Sequence, residues 1–131
     1  MELTVCIIDD DLVSQFATRY SIEQSKKQCT ILTCDDAAEG LDTLNHMLQG
    51  DSEVPDIVLL DLIMQGMDGW EFLEKFKGIA NWPKKTRVYI LSAFTNSRDR
   101  ARAREHPLIE GYFNKPLTKN DVDKIFGANL D

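Results

Sequence analysis

The sequence lacks any long apolar run, and its first residues carry no basic segment. A secretory signal needs a basic start followed by an apolar stretch, and a transmembrane helix needs about 20 apolar residues. The sequence therefore predicts neither a signal peptide nor a membrane-spanning segment. We expect a cytoplasmic protein that does not bind membranes.

Cysteine is scarce and basic residues are outnumbered. Cys6, Cys29 and Cys34 are odd in number and have no C-x-x-C spacing, which argues against a disulfide framework or a thiolate metal site. We expect them to be reduced. The chain has 15 Lys and Arg against 22 Asp and Glu, a net charge of -7. This charge has the wrong sign for a surface that binds nucleic acid.

The 131 residues are 43% hydrophobic and 28% charged, which is ordinary for a soluble globular protein. A chain of this length forms one hydrophobic core. We expect a single domain over residues 1–131 with no output domain.

Short apolar runs alternate with stretches of helical spacing, which predicts five strand–helix units. The strand-length runs are Val5 to Ile8, Cys29 to Cys34, Ile57 to Leu60, Val88 to Leu91 and Ile109 to Phe113. The alternation predicts an α/β fold, a doubly wound parallel sheet with helices on both faces. The second and fifth runs contain polar residues, as edge strands do, so we expect the flavodoxin-like strand order 2-1-3-4-5.

Polar and charged residues follow four of these runs. Asp9 and Asp10 follow the first, Asp61 the third, Ser92 the fourth and Lys115 the fifth. Carboxyl ends of parallel strands share one edge, so these groups should converge there. Two carboxylates about 4 Å apart repel by roughly 4 kcal/mol at an effective dielectric of 20. A hard divalent cation, most plausibly Mg²⁺, would offset that repulsion.

These residue types suit metal-assisted phosphoryl transfer. A carboxylate held between the metal and Lys115 can attack phosphorus, while both cations neutralise the phosphoryl oxygens. The product is an aspartyl phosphate, to which the Ser92 hydroxyl could donate a hydrogen bond. Asp11 is interpreted as a helix cap, and Thr118 with Asp121 as a capping box for the last helix.

The pattern resembles the receiver domain of two-component response regulators over nearly the whole chain. The matching segments are Ile8-Asp9-Asp10, Leu60-Asp61-x-x-Met64-x-x-Met67-Asp68-Gly69, Leu91-Ser92-Ala93 and Gly111-Tyr112-Phe113-Asn114-Lys115-Pro116.

The resemblance implies a role for each matching position. Asp61 would be the phosphoacceptor, and Lys115, before a cis bond to Pro116, would bind the phosphoryl group. Ser92 would be the switch hydroxyl, and Tyr112 the aromatic whose rotamer reports phosphorylation. The Mg²⁺ ligands would be Asp9, Asp10, Asp61 and the main-chain carbonyl of Ile63.

The resemblance also implies partners. The phosphodonor would be a histidine kinase or a histidine phosphotransfer protein, and an unidentified downstream protein would bind the switched face. Such a protein is a signalling phosphoacceptor that assists its own phosphorylation and dephosphorylation without being a turnover enzyme.

The sequence departs from the family pattern at a few positions. Gln65 stands where the family usually has proline, which affects loop stiffness alone. Ile63 and Phe94 are apolar at positions where polar residues could place an attacking water. We therefore hypothesise a long-lived phosphoryl group.

Other functions fit parts of the pattern. Asp9-x-Asp11-x-Val13 also fits a phosphatase of the haloacid dehalogenase type, with Asp9 as its nucleophile. A receiver-like module that binds partners without phosphorylation is another alternative. A flavin protein of the same fold is disfavoured, because three aspartates after the first strand repel a phosphate.

The segment from Asn96 to His106 contains four arginines, Arg98, Arg100, Arg102 and Arg104. It is either a solvated face paired with local acids such as Asp99 and Glu105, or a partner surface that phosphorylation shifts.

Overall fold

The structure, a computed structural model, describes residues 2–50, 53–94 and 96–127. Within these residues five strands alternate with five helices, as the sequence predicts. The strands are β1 (Leu3–Ile8), β2 (Cys29–Cys34), β3 (Ile57–Asp61), β4 (Arg87–Ser92) and β5 (Ile109–Asn114). The helices are α1 (Leu12–Gln24), α2 (Ala37–Gln49), α3 (Gly69–Lys77), α4 (Ser97–Glu105) and α5 (Lys119–Gly127).

The strands form one sheet in the order β2-β1-β3-β4-β5, and every neighbouring pair is parallel. All residues of β3 and β4 are buried, whereas β2 and β5 at the edges are only partly covered. Continuous apolar runs form central strands because helices cover both of their faces. The predicted flavodoxin-like fold and strand order are confirmed.

Helices pack on both faces of the sheet and enclose two cores. On one face Phe72 and Leu73 of α3 and Leu44 of α2 pack against the strands. On the other, Ile22 of α1 and Val122 of α5 do so. Burying an apolar side chain of this size contributes about 1.5 to 3 kcal/mol, so the two cores hold the strand ends in fixed register.

Helix α1 presents its larger apolar side chains to solvent. Leu12, Phe16 and Tyr20 follow one another at helical spacing, yet all three are more than half exposed, and the rings of Phe16 and Tyr20 stack with centroids 6.4 Å apart. The face packed on the sheet holds Gln15, Thr18 and Ile22. The spacing thus predicts the helix, but the apolar face is not the buried one.

Polar caps begin the helices. The Asp11 carboxylate accepts from the Val13 amide at 3.0 Å, which confirms its predicted capping role. Before α5 the predicted capping box is present: the Thr118 amide donates to Asp121 Oδ2 at 3.0 Å, and the Asp121 amide donates to Thr118 Oγ1 at 3.1 Å.

The three cysteines are free thiols. Cys29 and Cys34 lie on opposite faces of the sheet, in different cores, as the strand periodicity predicts. Cys6 and Cys34 lie on the same face with their sulfurs 3.8 Å apart, a proximity that the sequence did not indicate.

Candidate functional site

The predicted site residues lie together at the carboxyl edge of the sheet. Asp9 follows β1, Asp61 ends β3, Ser92 ends β4 and Lys115 follows β5. Their strands stay in register because the cores bury the apolar residues just before them. The site therefore lies where the strand order reverses between β1 and β3, the position at which doubly wound sheets bind ligands.

Three carboxylates form the acidic part of the site. Asp9, Asp10 and Asp61 each place an oxygen within 4.8 Å of the others. Asp9 and Asp61 are buried, whereas Asp10 is exposed. Carboxylate oxygens suit a hard divalent cation, and the exposed side leaves room for waters or phosphoryl oxygens. The donor set fits Mg²⁺.

Asp9 is the most tightly held of the three carboxylates. Its Oδ2 accepts from Lys115 Nζ at 2.7 Å and from Ser14 Oγ at 2.6 Å, and its Oδ1 accepts from the Asp11 amide at 3.0 Å. With three donors on a side chain that is 2% exposed, Asp9 is poorly placed to act as a nucleophile.

Asp61 makes fewer contacts. Its Oδ1 accepts from the Ile63 amide at 3.3 Å, and its Oδ2 lies 3.4 Å from Lys115 Nζ. Burial raises the pKa of Asp61 to about 6, the Lys115 ammonium opposes this shift, and the neighbouring Asp9 carboxylate adds to it. A cation placed among these carboxylates would favour the ionised form of Asp61.

Lys115 is fixed by its backbone. Its amide donates to the Ser92 carbonyl at 2.9 Å, which ties the loop after β5 to the end of β4. The peptide bond to Pro116 is cis, as the family resemblance implied. The Lys115 ammonium lies between two carboxylates, 2.7 Å from Asp9 Oδ2 and 3.4 Å from Asp61 Oδ2.

The loop between β3 and α3 forms the outer wall of the site. The Gln65 amide donates to Asp10 Oδ2 at 3.0 Å, so this departure from the family pattern still contacts the acidic cluster through its backbone. Gly66 has a φ of 78°, a region that favours glycine. A Cβ on Gly69 would lie 2.7 Å from the Asp61 carbonyl oxygen, so only glycine lets α3 begin this close to the site.

Ser92 and Tyr112 meet at one carbonyl oxygen. The Ser92 hydroxyl donates to the Phe94 carbonyl at 2.6 Å, and the Tyr112 hydroxyl donates to the same oxygen at 3.4 Å. Ser92 is buried at the end of β4, one residue beyond the Leu91 that pairs with Asp61, while Tyr112 lies half-buried on β5. The Phe94 carbonyl thus links the site to the surface between α4 and β5.

The chain matches the family model described as "Response regulator receiver domain" over residues 5–126. It belongs to the response regulator receiver domain family. The structure of a two-component response regulator from Cytophaga hutchinsonii superimposes with a TM-score of 0.89 at 27% identity, covering 98% of this chain and 97% of that one. The family is a signalling domain rather than a classical enzyme, so the phosphatase and flavin alternatives no longer apply.

Two curated proteins show the range of receiver relatives. The two-component response regulator ARR17 of Arabidopsis thaliana is 29% identical over 95% of this chain and 82% of its own length. Protein-glutamate methylesterase/protein-glutamine glutaminase 2 of Burkholderia thailandensis is 31% identical over 78% of this chain. The chain spans 26% of the length of that enzyme, so the match covers a minor part of it.

Sequence reasoning missed two residues beside the receiver site. Ser14 donates to Asp9, and Gln15 Nε2 donates to the Asp9 carbonyl at 2.7 Å and to Asp35 Oδ1 at 2.9 Å. Both follow the acidic motif by one helical turn, which places them back over the end of β1. The sequence gives no signal for them, because the burial of Gln15 depends on which face of α1 packs against the sheet.

Among the described residues, no helix has the length and apolar content needed to cross a membrane.

Proposed function

We propose that this receiver domain accepts a phosphoryl group on Asp61 from a phosphohistidine of a histidine kinase or a histidine phosphotransfer protein, and that the reaction depends on Mg²⁺. The observation that carries the proposal is the position of Asp61: its carboxylate lies 3.4 Å from the Lys115 ammonium and within the cluster of Asp9 and Asp10. Such donors act in the cytoplasm, where we expect this chain.

The chemistry follows from these neighbours. One Asp61 oxygen attacks phosphorus, the new O–P bond forms, and the P–N bond breaks with its electron pair passing to the donor imidazole. Asp9, Asp10, Asp61 and the Ile63 carbonyl would hold Mg²⁺, which supplies positive charge to the phosphoryl oxygens when bound. Lys115, now between Asp9 and Asp61, would turn toward the phosphoryl oxygens.

Phosphorylation would be transmitted through Ser92. A phosphoryl oxygen on Asp61 is a stronger acceptor than a neutral carbonyl, so the Ser92 hydroxyl would leave the Phe94 carbonyl to donate to it. That carbonyl would keep Tyr112 as its remaining hydroxyl donor, and Tyr112 would then move inward. We propose this exchange as the switch between the site and the face around β5.

The donor would dock on the apolar side chains that surround the site. Among the described residues the exposed large hydrophobic side chains are Leu12, Val13, Phe16 and Tyr20 on α1, with Ile63 and Phe94 in the loops after β3 and β4. We call the four on α1 the α1 patch. Exposed apolar patches of this kind mark protein-interaction sites, and this one begins next to the acidic cluster.

A labelling assay tests the proposal. Phosphoramidate with Mg²⁺ should label the wild-type chain stoichiometrically, and Asp61→Asn or a chelator should abolish the label. Asp42→Asn, on the exposed face of α2, is the matched control and should be labelled normally. Full labelling of Asp61→Asn would contradict the proposal. An unlabelled wild-type chain would favour a module that acts without phosphorylation.

A further inference from the structure

One oxygen of the Asp9 carboxylate accepts hydrogen bonds from two side chains that are far apart in the sequence. Lys115 Nζ lies 2.7 Å from Asp9 Oδ2, and Ser14 Oγ lies 2.6 Å from the same atom. The second oxygen, Oδ1, accepts from the Asp11 amide at 3.0 Å. A carboxylate offers about four acceptor positions, so these donors leave about one position for a further ligand.

The proposed phosphoryl transfer removes one of the two side-chain donors from Asp9. Lys115 then turns away from Asp9 toward the phosphoryl oxygens on Asp61. The Asp9 side chain is 2% exposed, so water has little access to replace the lost donor, and a buried carboxylate without donors is costly. In the described part of the chain, Ser14 is the side-chain donor that remains on this carboxylate.

The start of α1 directs the Ser14 hydroxyl to Asp9. The Asp11 carboxylate caps the helix and accepts from the Ser14 amide at 3.4 Å. Side chains on a helix lean toward its N-terminus, which brings the Ser14 hydroxyl back over the end of β1. Serine hydroxyls in helices often bond to nearby backbone groups, but this one bonds to a carboxylate five residues earlier in the chain.

The neighbouring Gln15 holds the backbone of Asp9 rather than its carboxylate. Its Nε2 donates to the Asp9 carbonyl at 2.7 Å and to Asp35 Oδ1 at 2.9 Å. The main chain at the end of β1 is therefore anchored independently of Ser14. Removing the Ser14 hydroxyl should free the Asp9 carboxylate to rotate without displacing the strand end.

We propose that Ser14 is a positioning residue for the metal site. Its hydroxyl holds Asp9, a member of the acidic cluster, in the orientation that receives Mg²⁺ and keeps it there when Lys115 turns to the phosphoryl group. Groups that orient a metal ligand commonly contribute about ten- to hundredfold to metal affinity. The movement of Lys115 rests on the proposed function, whereas the effect of Ser14 on Mg²⁺ binding does not.

The test is a titration of the isotope-labelled full chain with magnesium chloride alone, without a phosphodonor, followed by amide NMR. We expect Ser14→Ala to weaken Mg²⁺ binding by about tenfold. Ser14→Thr keeps a hydroxyl at the same position and should bind within about twofold of wild type. The matched control is Ser25→Ala, which removes a serine hydroxyl bond to the Ser21 carbonyl at the far end of the same helix and should leave the affinity unchanged.

Labelling by phosphoramidate gives a second measurement. In Ser14→Ala the Mg²⁺ concentration for half-maximal labelling should rise in parallel with the Kd for Mg²⁺. Labelling at saturating Mg²⁺ should also be slower, because Lys115 then leaves an Asp9 carboxylate that has lost its other side-chain donor. A merely structural role for Ser14 would lower Tm in the presence of a chelator and leave the Kd for Mg²⁺ unchanged.

An unchanged Mg²⁺ affinity in Ser14→Ala would overturn the proposal. Equal losses of affinity in Ser14→Ala and Ser14→Thr would also overturn it, since the hydroxyl would then not be the group that matters, and so would an equal loss in Ser25→Ala. If Ser14→Ala loses Mg²⁺ affinity while the wild-type chain takes no label, the role of Ser14 at the metal is supported and Asp61 as phosphoacceptor is contradicted.

Discussion

Asp61 is held in an environment that disfavours its charge. Burial and the Asp9 carboxylate raise its pKa from 3.8 to about 6, although Lys115 partly compensates. Because the folded pKa lies above the unfolded one, the protonated carboxyl stabilises the fold at low pH. That stability is lost as the pH rises through about 6, so the ionised carboxylate is a source of instability that a bound cation relieves.

Replacing this carboxylate by an amide should stabilise the metal-free protein. At about pH 8 with a chelator, Asp61→Asn should raise the free energy of unfolding by about 1 to 3 kcal/mol, and at about pH 4 the gain should be near zero. Urea denaturation at several pH values measures it. A variant equally or less stable than wild type at the higher pH would show that Asp61 is not electrostatically frustrated.

Ile63 should control the lifetime of the phosphoryl group. Its side chain is 58% exposed next to Asp61 and offers no hydrogen bond to a water. Ile63→Asn should speed the decay of the aspartyl phosphate by about tenfold, because an amide can position the attacking water. Loss of label from purified phosphoprotein gives the rate. Rapid decay in wild type, unchanged by the substitution, would contradict the hypothesis of a long-lived phosphoryl group.

The sequence was sufficient to predict the charged residues at the centre of the site. It was not sufficient to predict the neighbouring side chains that hold them in place. Asp9, Asp10 and Asp61 follow apolar runs, and parallel topology brings such positions together whatever the helices do. Whether Ser14 and Gln15 reach Asp9 depends on which face of α1 packs against the sheet. Side-chain spacing alone does not decide that face when a helix has apolar residues on its outer side.

For helix α1 the sequence likewise predicts the helix but not which of its faces is buried. Apolar residues at helical spacing usually face the core. In α1, however, Leu12, Phe16 and Tyr20 face solvent, and the polar side chain of Gln15 is buried. The polar Gln15 is tolerated inside because its amide donates to the Asp9 carbonyl and to Asp35. Element type was predictable from periodicity, whereas orientation was set by these tertiary hydrogen bonds.

The exposed apolar face of α1 should affect phosphotransfer from a protein donor but not from a small-molecule donor. The donor for this test is the histidine-containing protein that labels the wild-type chain fastest. Phe16→Ala should slow phosphotransfer from it by about tenfold, because truncation of an interface aromatic commonly weakens binding. Labelling by phosphoramidate should be unchanged, because that donor needs no docking surface. Equal slowing with both donors would indicate damage to the site, and no slowing with either would remove the α1 patch from donor binding.

At the scale of the whole molecule the net charge of -7 hides an uneven distribution. Three acids are gathered at one edge of the sheet, and four arginines lie on α4 beside it. Between the two regions, the Phe94 carbonyl accepts hydrogen bonds from both Ser92 and Tyr112, and the Arg100 guanidinium lies over the Tyr112 ring. Composition alone excluded a generally basic surface, but it did not predict a local one.

Magnesium should stabilise the folded domain as a whole, because the cluster exists only in the folded chain. At a concentration about a hundredfold above Kd, linkage adds about 2.7 kcal/mol, which raises Tm measurably. Asp10→Asn should lose most of this rise, since it removes a charge without removing the Gln65 contact. Asp42→Asn should keep it. A rise of equal size in both variants would place the ion elsewhere.

The central claim is that Asp61 carries the phosphoryl group, and locating that group tests it most directly. Borohydride reduces an aspartyl phosphate to homoserine, which peptide mass spectrometry assigns to one position. After incubation with phosphoramidate and Mg²⁺, we predict homoserine at Asp61 and at no other aspartate. Homoserine at Asp9 or Asp10 with Asp61 intact would contradict the account.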